Sequence, residues 1–506
     1  MAQRQVGETA QESRIPVVVA AGQCVERGGG VDVVDLAARA AGEALDLAPK
    51  LADDLDRLSF VDALSPTGKA PAATLARRLG LRPTVVEKST IGGNTPQWLV
   101  ARAAADIAAG GLATTLVVGA EAIASRRART APSTAPAADL EPDPVVGDGR
   151  DGVSPQEAAV GLGLPIHVYP MLESALAHRH GRSHEQQRAE LGRLLAPFTE
   201  VAAQHPQAWF PAARTADEIA RPASDNRLTA EPYTLRMNAV LAVDQGAALL
   251  VTSLAAARRA GVADRAVFVW SGAQANDAWF VPTRPELDRS PGIAAAGGAA
   301  LEAAGIEVDG LDRFDLYSCF PVAVEFATEA LGVAVDDPRG LTVTGGLPYF
   351  GGPGNNYTTH GIATLTDVLR EEGGTGLATG LGWFATKHAV GIYGATPPPR
   401  GFVAGDTDGA QAAIDANALE LADTHEGNAV VDAATVAYDR EGAVTAAPAY
   451  LRLPDGRRLV AAANPDELAG LAGAQLVGAT VHVSGEVPTY RVSSAPPTDT
   501  RHEEPT

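Results

Sequence analysis

Ile91-Gly92-Gly93-Asn94 and Phe350-Gly351-Gly352-Pro353-Gly354-Asn355-Asn356 are the stretches whose reading decides the fold of this 506-residue chain. Each follows a short apolar, strand-like run and precedes a helix-like one, 98–107 in the first case and 359–369 in the second. Those helices stop at further glycine pairs, Gly110-Gly111 and Gly373-Gly374. Glycine admits positive φ and the close approach of a ligand, while asparagine caps a helix and frees its first N–H groups for an acceptor. Two such turns in matching places imply a duplicated α/β unit with a site between the copies. Gly92, Gly93, Asn94, Gly351, Gly352 and Asn355 are therefore the candidate ligand-binding residues.

Working outward, strands are expected at 16–21, 84–88 and 113–118, with a helix over 31–45. A second series repeats the order: a strand at 266–270, helices over 291–304 and 321–331, and strands at 314–318, 341–344, 375–380 and 390–393. Alternation of strands with helices of this length marks an α/β architecture. Between the series, 126–152 is rich in Arg, Pro, Asp and Gly and reads as an excursion from the core. Helices are expected at 169–178 and 183–196, the latter opened by the capping box Ser183-His184-Glu185-Gln186. Thr396-Pro397-Pro398-Pro399-Arg400 is a stiff linker, and beyond it the period shifts to two. Strands at 429–438, 443–453, 457–462 and 479–492, with turns at Asp439-Arg440-Glu441-Gly442 and Pro454-Asp455-Gly456, suggest a small, OB-like β-barrel. The expected domains are a disordered 1–13, a first half 14–260 containing a loop domain 122–236, a second half 261–396, a linker 397–401, the barrel 402–492 and a disordered tail 493–506.

Composition excludes several function classes. A net charge of −21 argues against a nucleic-acid or anionic-membrane surface. Cys24 and Cys319 are the only cysteines, too few for a disulfide framework or a cysteine zinc site. Residues 1–13 carry no apolar run, so no signal peptide is expected, and no run is long enough for a membrane span. A cytoplasmic protein follows. His178 and His180 lie two apart and share no helix face, so no metal is expected there. Neither glycine turn carries a P-loop lysine, so no nucleotide, nicotinamide or flavin cofactor is expected.

The doubled unit resembles the thiolase superfamily, over about residues 14–397. Val86-Glu87-Lys88-Ser89-Thr90-Ile91-Gly92-Gly93 is similar to the strand and loop that deliver the thiolase nucleophile. Counting back from Ile107-Ala108-Ala109-Gly110, the family's I-x-x-G helix end, places the nucleophilic cysteine at Gly93. The run from Thr344-Gly345-Gly346 to Gly351-Gly352-Pro353 resembles the stretch leading to Gly-His-Pro, with the histidine at Gly352. Gly380-Leu381-Gly382 stands where the family has Cys-x-Gly. Tyr317-Ser318-Cys319-Phe320 resembles the His-Asp-Cys-Phe loop of the sterol-carrier-protein-type thiolases, with tyrosine replacing histidine. The appended barrel is similar to that of actinobacterial thiolase-like proteins with an additional C-terminal domain.

The resemblance implies a five-layer αβαβα fold and an acyl-CoA ligand in the acetyl-CoA acetyltransferase family of lipid metabolism. It also implies a pantetheine tunnel between the core and 122–236, with the glycine turns at its floor as oxyanion donors. A monomer, or a homodimer through the core, is expected. Claisen chemistry needs a thiolate and a base, and glycine supplies neither, so ordinary thiolase activity is expected to be absent. Three readings stand. Cys319 and Tyr317, with Tyr349 and His388 or His360 near them, carry a retro-aldol or decarboxylation step; or the chain binds acyl-CoA without turnover; or it is a scaffold. Beside these, Cys319 and Cys24 read equally as packing, Tyr317 and Tyr349 as core aromatics, and Lys387-His388 as a solvent-facing pair.

Overall fold

The computed structural model describes residues 14–128 and 139–494. The segment 1–13 and the tail beyond 494 lie outside the described residues. The first half contributes β1 (Pro16–Val25), α1 (Val33–Asp46), β2 (Arg57–Val61), α2 (Pro71–Leu79), β3 (Val85–Ser89), α3 (Thr95–Ala109) and β4 (Thr114–Ala122). After the excursion, which carries α4 (Pro165–Arg179) and α5 (His184–Gln204), β5 (Asp244–Ser253) returns to the sheet. The capping box at Ser183 forms as expected, with Ser183 and Gln186 each bonding the other's backbone. The second half repeats the order with β6 (Val267–Asn276), α6 (Pro291–Ala304), β7 (Arg313–Asp315), α7 (Pro321–Leu331), α8 (Tyr357–Glu372), β8 (Thr375–Gly382) and β9 (Lys387–Gly394).

The duplication is visible in the pairings. In the first half β3, β2 and β4 run parallel, and β5 then pairs antiparallel with both β4 and β1. In the second, β7 and β8 are parallel, and β9 pairs antiparallel with both β8 and β6. A short β1–β6 contact at Val17 and Val18 joins the sheets. Helices α3 and α8 pack against strands of both halves. Leu99, Val100, Ala104 and Ile107 of α3 and Ile362, Ala363, Leu365 and Leu369 of α8 share one core with Val117, Leu249, Val267 and Val269. With α1 and α6 on the outer faces, this gives the five αβαβα layers.

One expected strand is absent. Residues 341–344 keep a single ladder bond, Leu316 N–H to Leu341 C=O at 2.9 Å. The buried Asp315 carboxylate instead draws the Val343 N–H and the Thr342 and Thr344 hydroxyls onto one oxygen. A side chain has taken the donors that a sheet neighbour would have used.

The chain stays in contact with the core beyond the linker. Val403–Ala404 pairs parallel with β6, and the helix Asp408–Ala416 packs on β6 and α6, so the segment after the linker rests against the duplicated unit. The barrel proper is β10 (Gly427–Ala434), β11 (Pro448–Arg452), β12 (Arg458–Ala463), β13 (Thr480–Ser484) and β14 (Thr489–Ser494), closed because β14 also pairs with β12. Ser493 and Ser494, placed in the tail by sequence, complete its last strand. The barrel is fastened to the excursion: its Ala437 pairs with Ala230, Tyr450 donates to Glu157 at 2.6 Å, and Ser174 donates to the Ala434 carbonyl at 2.6 Å. From the excursion, Val145–Val146 adds a parallel strand to the outer edge of β3. Among the described residues no helix is long and apolar enough to cross a membrane.

Candidate functional site

A cavity of about 440 Å³ opens between the glycine turns and α4. It is lined by Gly92, Gly93, Tyr317, Cys319 and Asn355 of the expected site, with Tyr169, Asn238, Phe320, Leu381, Trp383 and Phe384 around them. The size falls within the ~300–1,000 Å³ typical of small-molecule pockets. Among the described residues that line it, none is Lys, Arg, His, Asp or Glu.

Gly93 lies at its floor, and the space beside it is taken. A Cβ there would stand 2.2 Å from the Tyr317 hydroxyl, 2.6 Å from Tyr317 Cζ and 2.6 Å from the Leu381 carbonyl. The tyrosine tip therefore fills the volume that a side chain at 93 would need. Tyr317 is held by its own N–H, donated to Thr379 Oγ1 at 2.7 Å, and by an edge-on contact with Tyr357. Gly93 is held by its carbonyl, which accepts from Thr358 Oγ1 at 2.8 Å. Burial first, and then the neighbouring Cys319, keep the Tyr317 phenol protonated far above its usual range.

Cys319 follows on the same loop, and burial pushes its thiol up to about 12, with a Tyr169 hydrogen bond opposing. At neutral pH it is a protonated thiol, not the thiolate that attacks carbonyls. Its neighbour Tyr169 stacks on Phe320 with ring centroids 4.5 Å apart. The Tyr169 hydroxyl donates to the Trp383 carbonyl and accepts the Ala385 N–H. Trp383 and Ala385 have φ of 55° and 51°, a conformation that costs a non-glycine residue about 1–3 kcal/mol. One hydroxyl thus pins two strained residues and sets the Trp383 indole on the cavity wall.

Two of the N–H groups in the glycine turns are already engaged. The Gly92 N–H is donated to Asn355 Oδ1 at 3.0 Å, and Asn355 Nδ2 continues to the Asp62 carbonyl at 2.7 Å. The Gly352 N–H goes to the Val240 carbonyl at 2.9 Å. Gly351 has φ 116° and sits against Gln245 Oε1, 2.4 Å from where its Cβ would be. Asn94 begins α3 but makes no capping bond with its side chain. The two turns are cross-braced to each other and to the core.

Asn94, Gly351 and Gly352 are not on the cavity lining, and Tyr349, His388 and His360 lie elsewhere. Tyr349 is buried outside the cavity lining, its hydroxyl without a partner among the described residues. His388 is buried with Asp277 and Ser290, its Nε2 3.0 Å from Asp277 Oδ2 and 3.1 Å from Ser290 Oγ. Asp277 also accepts the Gly292 N–H, and Ser290 caps α6, so this trio ties β6, β9 and α6 together. His360 bonds Gln23 through Nδ1, and burial drives its ring down to about 3. Lys387 is not solvent-facing either: its Nζ donates to the Ile91 carbonyl at 2.6 Å. Sequence reasoning passed over Trp383 and Tyr169. The signal for Trp383 was its place directly after Gly380-Leu381-Gly382; Tyr169 lies far away in sequence and had none.

A duplicated αβαβα core with a fused closed barrel defines a thiolase-fold protein. Residues 410–486 match the family described as thiolase-like protein type 1 additional C-terminal domain. A monomeric SCP2-thiolase-like protein type 1 from Mycobacterium smegmatis superposes with a TM-score of 0.82 at 31% identity, over 95% of this chain and 99% of that one. The chain belongs to the SCP2-thiolase-like protein type 1 family. An acetyl-CoA acetyltransferase of Methanothermobacter thermautotrophicus is 24% identical over 272 residues, 51% of this chain and 67% of its own length. The Ltp2-ChsH2(DUF35) aldolase shares the fold, with a TM-score of 0.60 at 20% identity over 76% of this chain and 99% of that one. Among the described residues no group of His, Cys, Asp or Glu is placed to hold a metal ion.

Proposed function

We propose that this chain binds the acyl end of a coenzyme A thioester in the 440 Å³ cavity and does not perform thiolysis or Claisen condensation. The observation that carries this is the Tyr317 hydroxyl standing in the volume a nucleophile at 93 would need. With Cys319 neutral and no carboxylate, imidazole or ammonium among the described lining residues, neither the covalent step nor the α-proton abstraction has a described residue to perform it. The apolar walls and the volume of the cavity suit a bulkier acyl group than acetyl. The Val145–Val146 strand occupies one sheet edge of the core and supports a single chain in solution. A place in cytoplasmic lipid metabolism is part of the same proposal.

A second reading keeps chemistry in the cavity. Decarboxylation of an acyl group that carries a carboxylate on its α-carbon, as malonyl-CoA does, needs no base. The C–C electron pair moves into the thioester as carbon dioxide leaves, and a proton donor quenches the enolate. The neutral phenol of Tyr317 on the cavity wall favours this step over retro-aldol cleavage, which requires a base as well. The likeness to an aldolase assembly is one of fold alone.

Thermal shift with CoA, acetyl-CoA and longer acyl-CoAs, alongside an acetoacetyl-CoA thiolysis assay, tests the proposal. Stabilisation growing with acyl length and no thiolysis is expected. Thiolysis abolished by Cys319→Ala would overturn it. Carbon dioxide release from malonyl-CoA that is lost in Tyr317→Phe would establish the second reading instead.

A further inference from the structure

Aromatic residues make up 5% of the chain, yet Tyr169, Tyr317, Phe320, Trp383 and Phe384 all line the acyl cavity. They form its inner part: Tyr169, Tyr317, Phe320 and Phe384 are buried. The aliphatic Leu64, Ile91, Leu164 and Leu241 on the same lining are exposed, from 39% at Leu241 to 57% at Leu164, and belong to the mouth.

Two of the inner rings are set as walls. Tyr233, Phe320 and Tyr169 make a run of near-parallel rings, with centroids 5.8 and 4.5 Å apart and interplanar angles of 19° and 15°. The run begins at Tyr233, which is fully buried and off the cavity lining, and reaches the cavity at Tyr169. Both end hydroxyls are bonded: Tyr233 donates to Glu173 Oε2 at 2.6 Å, and Tyr169 to the Trp383 carbonyl at 2.8 Å. A guest ring lying parallel to Tyr169 would continue the run.

Trp383 is the second wall. A Cβ on Gly152 would fall 2.2 Å from its Cδ2, 2.4 Å from Cε3 and 2.5 Å from Cγ. Cδ2 is bonded to three ring atoms, so a position nearest to it lies over the ring plane, and Gly152 covers one face of the indole. The half-buried ring meets the cavity with what remains. The Tyr169 hydroxyl bonds the backbone of both Trp383 and Ala385, whose positive φ it helps to hold, so one brace fixes the two walls relative to each other. Strain of this kind persists where the surroundings over-determine it, and it points to function.

We propose that the cavity selects acyl groups carrying a flat conjugated ring, with Tyr169 and Trp383 as the walls that sort them from saturated ones. The proposal rests on the acyl-CoA reading above and adds the chemical class of the acyl group. Aromatic pairs gain from the match of their quadrupoles beyond what buried area supplies. A saturated ring of the same carbon count is thicker and has no quadrupole to match. With no charged side chain among the described lining residues, a ring bearing a carboxylate or ammonium is disfavoured.

Calorimetric titration of the full-length protein with benzoyl-CoA, cyclohexanecarbonyl-CoA, heptanoyl-CoA and CoA tests this. The three acyl groups have equal numbers of carbon atoms, and benzoyl is the least apolar. Benzoyl-CoA is nevertheless expected to bind about tenfold more tightly than either saturated thioester, through its two ring contacts. In Trp383→Leu that preference is expected to narrow to about twofold. Equal affinities for the three acyl-CoAs, all above that of CoA, would refute the flat-ring class and leave the acyl-CoA reading standing. Acyl-CoAs that bind no better than CoA would overturn both. An undiminished preference in folded Trp383→Leu would refute the indole wall; where that variant does not fold, the comparison of ligands on the unaltered chain decides.

Discussion

Filling the space at Gly93 tests the central claim, that Tyr317 has taken over a vacated seat. In Gly93→Ala the new Cβ meets the Tyr317 hydroxyl at 2.2 Å, Tyr317 Cζ at 2.6 Å and the Leu381 carbonyl at 2.6 Å. None of these is the loose end of a flexible side chain. The tyrosine is buried and held through Thr379, and the Leu381 oxygen is backbone in β8. Overpacking of a rigid core costs about 1–3 kcal/mol, and this geometry belongs at the upper end. Tyr317→Ala alone removes a buried aromatic ring, for about 3–5 kcal/mol. In the double variant the ring is gone and only the Leu381 contact remains, so its loss should fall short of the summed singles by about 1–2 kcal/mol. Urea unfolding read by tryptophan fluorescence is a suitable assay, because Trp98, Trp209, Trp270, Trp279 and Trp383 all precede the barrel and report the duplicated unit alone. Additivity within about 0.5 kcal/mol would mean that the Tyr317 tip does not occupy the seat, and the reasoning would fail.

Burial raises the Cys24 thiol to about 11 and the Cys319 thiol to about 12, so neither should react with a disulfide reagent in the native protein at pH 8, and both should after denaturation. Rapid native labelling of Cys319 would show a reactive thiolate at the cavity. Burial also lowers His205 to about 4 and His360 to about 3, against about 6.5 in the unfolded chain. Between pH 6.5 and these values the unfolded chain binds more protons, so this part of the stability is present above pH 6.5 and is lost as pH falls toward 4. The urea midpoint should drop across that window, and less steeply in His205→Asn/His360→Gln; equal slopes would count against it.

Much of the fold was legible because its signals are local. The boundaries of α6 and α7 follow from proline at the start and glycine just past the end, and both match the sequence reading residue for residue. The capping box at Ser183 is a four-residue pattern that needs no tertiary context. The 341–344 strand failed because the Asp315 carboxylate, 26 residues upstream of Leu341, claimed its donors. The contact of 403–404 with β6 was not legible, because a proline run stiffens a chain without preventing the next segment from pairing with the preceding sheet.

For the candidate site the division is sharper. Sequence alone put glycine at 93 and 352, where the resemblance to thiolases expects a nucleophile and a base, since residue identity needs no coordinates. It also placed Cys319 and Tyr317 on one loop. Only the tertiary structure decided what replaced the missing side chains: Tyr317 lies 224 residues from Gly93, yet its hydroxyl fills the space beside it. The same long-range packing buried Lys387 and His388, spent the Gly92 and Gly352 N–H groups, and left Tyr349 outside the cavity. Local patterns specify backbone conformation, whereas the free volume beside a glycine depends on chain segments that no local pattern names.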